Sequence, residues 1–518
     1  MRALWLGVLA MAACGGGGGG SDGGGPPVDA AWADGRPGDP PPAQTCTQPV
    51  SYYDTSAPTT VIGTGTPESC TEAALRAATQ TGGVTTFDCG PDPVTIAITE
   101  TLELPVDRSN IIDGGGLVTL DGGGATRIFH FEHPDWMNNP TIVALQRLTF
   151  RNGAAPAGTY FPQDPDNPNC AYGYKEGSGG VIYMRNGVLH VIGSQFYDNR
   201  AALVGPDVGG GAIYVLGVPE LIVEDSVFSG NRGSNGGAIG LLFAGNAAIV
   251  NSVFEDDTAE GTGANYVEPG CPTFNHDEQG GAGGNGGGVV FDGLNDDTSV
   301  YTLCGDVFRS DRANELGGAL FRTPNAGVRQ MRIDRCLFDG NTARLGGVSF
   351  IKQNDVTALA STFTGNRSGL DIDGNVVGGV NGGLWINEGT LAMDNCTFWD
   401  NQPTGLDVDG TGTVANTTFV DNRLNGDLTV SNSVFDDVDC SSALAGAHNV
   451  QRTGTACAGD TMFIDPGLGE LGDHGGPTPT FLPTGAITGL GADCSATDQR
   501  GEPRGTATCT PGSVEPGP

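Results

Sequence analysis

The chain has 518 residues, with 87 glycines and only 7% aromatics, which leaves too little bulk for wide helix-packed cores. Its formal charge is −36, from 24 basic and 60 acidic residues. That balance argues against a nucleic-acid partner, whose phosphates need Lys and Arg, and it suits solubility and divalent cations.

At the start, Arg2 precedes an apolar run from Ala3 to Ala13. Residues 1–13 are too short to span a membrane as a helix and end in small residues, the pattern of an export signal. Met11-Ala12-Ala13-Cys14 resembles a bacterial lipoprotein lipobox. The resemblance implies cleavage before Cys14 and lipidation of Cys14. The protein is then exported to the outer membrane or cell surface and held by lipid alone; the alternative is plain secretion. Residues 14–45 are a Gly/Pro-rich tether that cannot bury enough to order itself, with a reach of roughly 30 Å.

Residues 46–144 read as an N-terminal cap and first coils. Ser69-Cys70-Thr71-Glu72 has the form of a capping box opening a helix from Glu72 to Thr79, which ends near Gly82-Gly83. VTIAITETLEL and NIIDGGGLVTLDGGG follow as the first strands. The segment is similar to the start of many secreted repetitive β-helix proteins. In His130-Phe131-Glu132-His133, strand alternation puts His130 and Glu132 on one face and His133 on the other, a poor zinc set.

Between 145 and 458 one phrase recurs. Counted from Phe196, Phe228, Phe254, Phe308, Phe338, Phe363, Phe398, Phe419 and Phe435, position +3 is Asn at Asn199, Asn231, Asn341, Asn366, Asn401 and Asn422, with Asp257 and Asp311 as variants. Position −2 is small (Ser194, Cys336, Cys396 among others), and −3 favours residues that tolerate a left-handed backbone. The apolar alternation slips by one at −3, so two short strands meet there at a bend. A Gly-Gly-Ala-Ile run (Gly236 to Ile239) starts another strand. Such repeats predict an all-β chain, a parallel β-helix, with Phe stacked on Phe, Ser or Cys on Ser or Cys, and Asn closing a corner. Spacings as short as 21 residues exclude propeller blades. The GGA[IL] and FxxN phrases resemble polymorphic outer-membrane protein repeats, and the resemblance implies that the β-helix is right-handed, a pectate-lyase-like solenoid.

Two long insertions, 154–178 and 258–284, gather Tyr160, Phe161, Tyr172, Tyr174, Glu176, Tyr266, Phe274 and His276. Aromatic faces beside carboxylates suit sugar rings, so these are the candidate ligand residues. A second row, Tyr183, Tyr214, Phe291, Phe321 and Phe350, follows each Gly-Gly; it is core if it points inward, the preferred reading, and a stacking stripe if outward. Asp371, Asp373, Asp407 and Asp409 sit in two Leu-Asp-x-Asp-Gly runs 36 residues apart. Stacked at equivalent turns, the four carboxylates would need a cation such as Ca²⁺; no other cofactor is indicated.

The last segment, 459–518, is a C-terminal cap. Phe463-Ile464-Asp465-Pro466, the run from Leu471 to Thr478 and Asp498-Gln499-Arg500-Gly501 resemble the choice-of-anchor Q region of bacterial surface proteins. Of thirteen cysteines, Cys14 is set aside, and an even twelve suits an oxidising compartment. The expected pairs are Cys70–Cys89, Cys170–Cys271, Cys440–Cys457 and Cys494–Cys509. Cys336 and Cys396 are expected as buried thiols, and Cys46 and Cys304 stay unassigned. The motif trio of a polygalacturonase is missing from the sequence. The leading expectation is a monomeric, non-catalytic, surface-anchored protein that binds a polysaccharide or cell-surface glycan. The alternatives are an extracellular polysaccharide lyase or glycoside hydrolase, and a passive spacer.

Overall fold

The computed structural model describes residues 45–156, 177–203, 208–262, 283–293, 299–324, 327–379, 382–505 and 507–516. It also describes the backbone of the short strands Gln163–Asp164, Asn167–Ala171, Ala264–Tyr266 and Gly280–Gly283. Within these residues helix is confined to α1 (Glu72–Thr81) and two 3-10 turns, and none is long and apolar enough to cross a membrane. The rest of the regular structure is strand, nearly all of it paired in parallel.

Strands one repeat apart in sequence are neighbours in space. Gln195–Tyr197 pairs with Val227–Ser229, that strand with Val253–Glu255, and that one with Val307–Arg309, always Phe opposite Phe. The ladder continues to Phe435. Length differences loop out at the corners: the step from Asp257 to Asp311 takes 54 residues and that from Thr417 to Ser433 only 16, in unbroken register.

Inside the stack the phenyl rings form one column. Phe196, Phe228, Phe254 and Phe308 stack at 4.5, 4.8 and 4.7 Å with planes within 6°. The column begins at Phe150 and ends at Phe435. All these rings are fully buried, each contributing about 1.5–3 kcal/mol from apolar surface alone. Beside them runs a ladder of amides. Asn199 Nδ2 donates to Asn231 Oδ1, and Asn341, Asn366 and Asn401 each donate to the next rung, at 2.8–3.2 Å. The same amides cap phenylalanine carbonyls, as Asn341 Nδ2 does for Phe308. Cys336 and Cys396 are buried in the small-residue ladder, where burial pushes their thiols well up.

The −3 corner is left-handed throughout. Asp225, Asn251, Asn395, Asn416 and Asn432 have φ between 47° and 55°, and Arg335 and Ala360 are left-handed too, at 54° and 46°. Position in the coil therefore overrides residue preference at the last two.

Helix α1 starts at Glu72, as expected, but without the capping box. Thr71, not Ser69, is the N-cap, its Oγ1 accepting from Ala74 N–H at 3.2 Å. Ser69 instead serves the preceding turn, bonding Thr66 and Thr64. Glu72 reaches the N–H groups of Thr99 and Glu100, pinning α1 to the first coils rather than closing a box. The helix runs to Thr81 and stops at Gly82, φ 74°.

Both terminal segments lie lengthwise on the −3 corner. At the C-terminal end, Thr478 Oγ1 donates to the Ala360 carbonyl and Thr362 Oγ1 to that of Pro479. Gln499 bonds Thr362, Thr397 and Thr478, while Asn432 exchanges two bonds with Ala492. Asp498 and Gln499 are buried, and Arg500 Nε and Nη2 pair with Asp498. These residues clamp the end of the chain to the stack.

At the front, residues 45–55 run across successive repeats. Asn251 accepts from the N–H groups of Thr45 and Cys46 and donates to the Cys46 carbonyl. Gln48 meets Asp225, Val50 N–H meets Glu224, Tyr53 N–H meets Gln146, and Thr55 meets Asp113. Tyr53 Oη lies 2.7 Å from His190 Nδ1. Cys46 and Cys304, left unassigned from sequence, are bonded to each other. Cys70–Cys89, Cys440–Cys457 and Cys494–Cys509 are paired as expected. The four disulfides among the described residues fit an oxidising, extracellular environment.

Glu224 is buried beneath this segment. Burial, and secondarily the charge of Asp225, push its carboxyl up to about 7 against the opposing effect of the Val50 N–H. Its acid form is favoured in the fold, so its contribution to stability is present below the ordinary carboxylate range and is lost as pH rises through about 7. Glu224→Gln should flatten the stability profile between pH 5 and pH 8. Thermal melts across that interval check it; parallel wild-type and variant profiles would refute it.

Candidate functional site

The strand after each Gly-Gly has two faces, and the register separates them. Met184, Val215, Leu241, Phe291, Ile351 and Ile386 stand in one column and join the main core. Arg322 occupies the same column after Phe291. Its fully buried guanidinium lies 4.7 Å over the Tyr301 ring and donates to the Thr323 carbonyl, and burial lowers its pKa to about 10.

The alternate column carries Tyr183, Tyr214, Gly240, Val290, Phe321, Phe350 and Trp385, then Asp407 and Asn425. Tyr183 and Tyr214 form a cluster separate from the main core, with Leu216, Leu242 and Phe243. The inward reading of the row therefore holds for Phe291 and fails for Tyr183, Tyr214, Phe321 and Phe350. The reason is one residue. Gly286-Gly287-Gly288-Val289 places Val290, not Phe291, opposite Gly240, and a single step in a strand exchanges the two faces.

Along this outer column rings touch from coil to coil. Tyr183 and Tyr214 stack at 6.0 Å, Phe321 and Phe350 at 5.5 Å, and Trp385 sets its edge against Phe350 at 4.7 Å. Gly240 interrupts the row. A Cβ there would meet Tyr214 Cδ2 at 2.8 Å, so the glycine lets that ring lie over it and leaves a small notch bounded by Tyr214, Val290, Phe321, Asn235 and Asn285. Tyr183, Tyr214 and Phe321 are buried, while Phe350 and Trp385 are half-buried. Lys352, Asn387 and Asp409 form the neighbouring polar column on the same face. Lys352 lies 4.0 Å from Glu388, and Asn387 Nδ2 lies 3.3 Å from Asp409 Oδ2.

At the front end of the column His130 takes the place of a tyrosine. Its Nδ1 is 2.6 Å from Glu103, its Nε2 is 3.7 Å from Glu132, and its ring stacks on Tyr183 at 5.4 Å. His133 turns to the Asn186 side chain and the Asp135 N–H, as strand alternation implies.

Of the residues singled out in the insertions, Tyr160, Phe161, Tyr172, Tyr174, Glu176, Phe274 and His276 lie outside the described residues. So do Cys14 and Cys271. Tyr266 and Cys170 lie on short strands described by backbone only. The two Leu-Asp-x-Asp-Gly runs are not equivalent in space. Asp371 closes its own turn ahead of Gly382-Gly383, accepting from Asp373 and Asn375 N–H groups and from Asn375 Nδ2. Asp407 and Asp409 lie in the strand Leu406–Ala415, opposite Trp385 and Asn387. One local sequence thus falls before the glycine corner and the other after it, so Asp371 and Asp373 do not stack on Asp407 and Asp409. Among the described residues no group of three or more His, Cys, Asp or Glu side chains could hold a metal ion.

No protein-family model matches the chain, and no curated protein matches it either.

Proposed function

We propose that this protein is an exported, surface-anchored lipoprotein whose stacked coils form a right-handed parallel β-helix, and that it binds a glycan along its outer aromatic column without cleaving it. The observation that carries this reading is the contact run Phe321, Phe350, Trp385, whose last two rings are half-open to solvent and which is bordered by Lys352, Asn387 and Asp409. A pyranose offers an apolar C–H face to a ring and hydroxyls to amides, carboxylates and ammonium groups, which is the chemistry set side by side there. Coils rise by about 4.8 Å, so successive rings meet successive parts of an extended chain. The four disulfides support export, and the lipobox-like Cys14 and the choice-of-anchor-like C-terminal segment support surface attachment.

A glycan array followed by calorimetric titration tests the reading, with and without Ca²⁺. Trp385→Ala and Phe350→Ala should each weaken binding by roughly tenfold, the size of one lost aromatic contact. Incubated glycans should be recovered at full length. A silent array, or both variants binding like the parent, would end the proposal; shortened or unsaturated products would make the protein an enzyme instead.

A further inference from the structure

The N-terminal segment crosses the stack against the direction in which the coils are wound. Cys46 is bonded to Cys304, and Thr55 reaches Asp113, so the segment starts beside a middle coil and runs back to the first. The coils are shaped to receive it. A Cβ at Gly193 would meet Tyr52 Oη at 2.3 Å, and one at Gly305 would meet Thr45 Cβ at 3.1 Å and Cys46 Sγ at 3.2 Å. The −3 position thus becomes glycine at these two coils, where the segment passes closest. Asn251, between them, grips the Cys46 backbone from both sides. Arg335 Nη1 donates to the Thr45 carbonyl one coil further on.

The receiving corner also has a defined place on the perimeter. Asp225 lies 15 residues after Gly210 and 11 before Gly236. It is therefore about half a coil from the Gly-Gly corner. The aromatic column begins just past that corner, so along the chain it too lies about half a repeat from Asp225.

We infer that residues 45–56 are a disulfide-latched strap that sets where the protein is held: whatever precedes Thr45 leaves the stack from its middle coils, on the side away from the aromatic column. A pull on the N-terminus enters through Cys46–Cys304 at mid-length, and the stack lies side-on to its attachment with the column facing outward. With the latch absent and the strap released, the attachment point moves to the first coil near Thr59, and the stack hangs by its end. That the lead ends in a membrane lipid rests on the function proposed above; the strap itself does not.

Hydrogen exchange on the full-length protein tests it without glycan or membrane, so its outcome is independent of whether a glycan binds. In the parent, the amides of Cys46 and Tyr53 should be protected on the order of a hundredfold, because each donates to a buried or half-buried side chain. The double variant Cys46→Ser/Cys304→Ser should lose most of that protection, while the amides of Val227, Val253 and Val307 in the Phe ladder keep theirs. Asn251→Gly, which retains the left-handed corner and the disulfide, should lose protection at Thr45 and Cys46 but not at Tyr53. Full-rate exchange of residues 46–53 in the disulfide-intact parent would overturn the inference. So would unchanged protection in both variants.

Discussion

Phe254→Ala is expected to lower stability by about 3–5 kcal/mol, the cost of emptying a site whose walls cannot collapse. Phe254 lies between Phe228 and Phe308 at 4.8 and 4.7 Å, with no exposed surface. The backbone on either side is held by the parallel ladder and by Ser226 and Asp257, so the neighbouring rings have no freedom to close the gap. A repeat architecture loses stability locally. The loss should therefore register first as faster amide exchange in the coils of Phe228 and Phe308, and then in a denaturant midpoint. Phe254→Leu, which keeps most of the volume, should cost less. A cost below about 1 kcal/mol for the alanine variant would mean that the ring column does not carry the core.

Asp257→Asn and Asp311→Asn are expected to stabilise the protein by about 1–3 kcal/mol each at pH 8, and by little at pH 4. Both carboxyls replace amides in the buried corner ladder. Asp257 Oδ1 accepts from Asn231, and Asp311 Oδ1 accepts from the Asp257 N–H, as an asparagine carbonyl would. Oδ2 of each is buried with no partner. It stands where neighbouring rungs use an N–H to cap a phenylalanine carbonyl. Only the protonated acid can do the same. Burial raises both carboxyls well above the usual range. Asp311 is raised further by Asp257, and nearby Asp256 and Glu255 add to both. The stabilising proton is bound below the unfolded carboxylate range near 4 and is lost as pH rises through the folded values. The native protein should therefore weaken toward alkaline pH, and the double asparagine variant should not. Melting temperature against pH for the two proteins checks this. A double variant that is no more stable at pH 8 would show that the ladder tolerates the charge.

The repeat was legible because the forces that form it are local and periodic. Phe at zero, a small residue at −2 and Asn at +3 are read directly from spacing, and the structure stacks them as that spacing implies. The strap was not legible. Its contacts join Cys46 to Asn251 and Cys304, and Tyr53 to Gln146, across 93 to 258 residues, where no local pattern signals a partner. One sign did exist: glycine at 193 and 305, in a position otherwise filled by Asn, Asp and others, marks where side chains of another segment approach. The Asp-Gly turns misled for the opposite reason, since identical local words were used on different sides of a corner.

By itself, then, the amino-acid order determined an all-β chain of short parallel strands, what fills its interior and which residues turn its corners, because burial and left-handed backbone leave a mark at every repeat. Only the tertiary structure decided which side of the strand after Gly-Gly faces outward, and where the two ends of the chain come to rest. Side-chain parity in a strand depends on a single residue of register, and register is settled by the coil above and the coil below. The resting place of the ends is settled by surfaces that exist only once the coils have stacked.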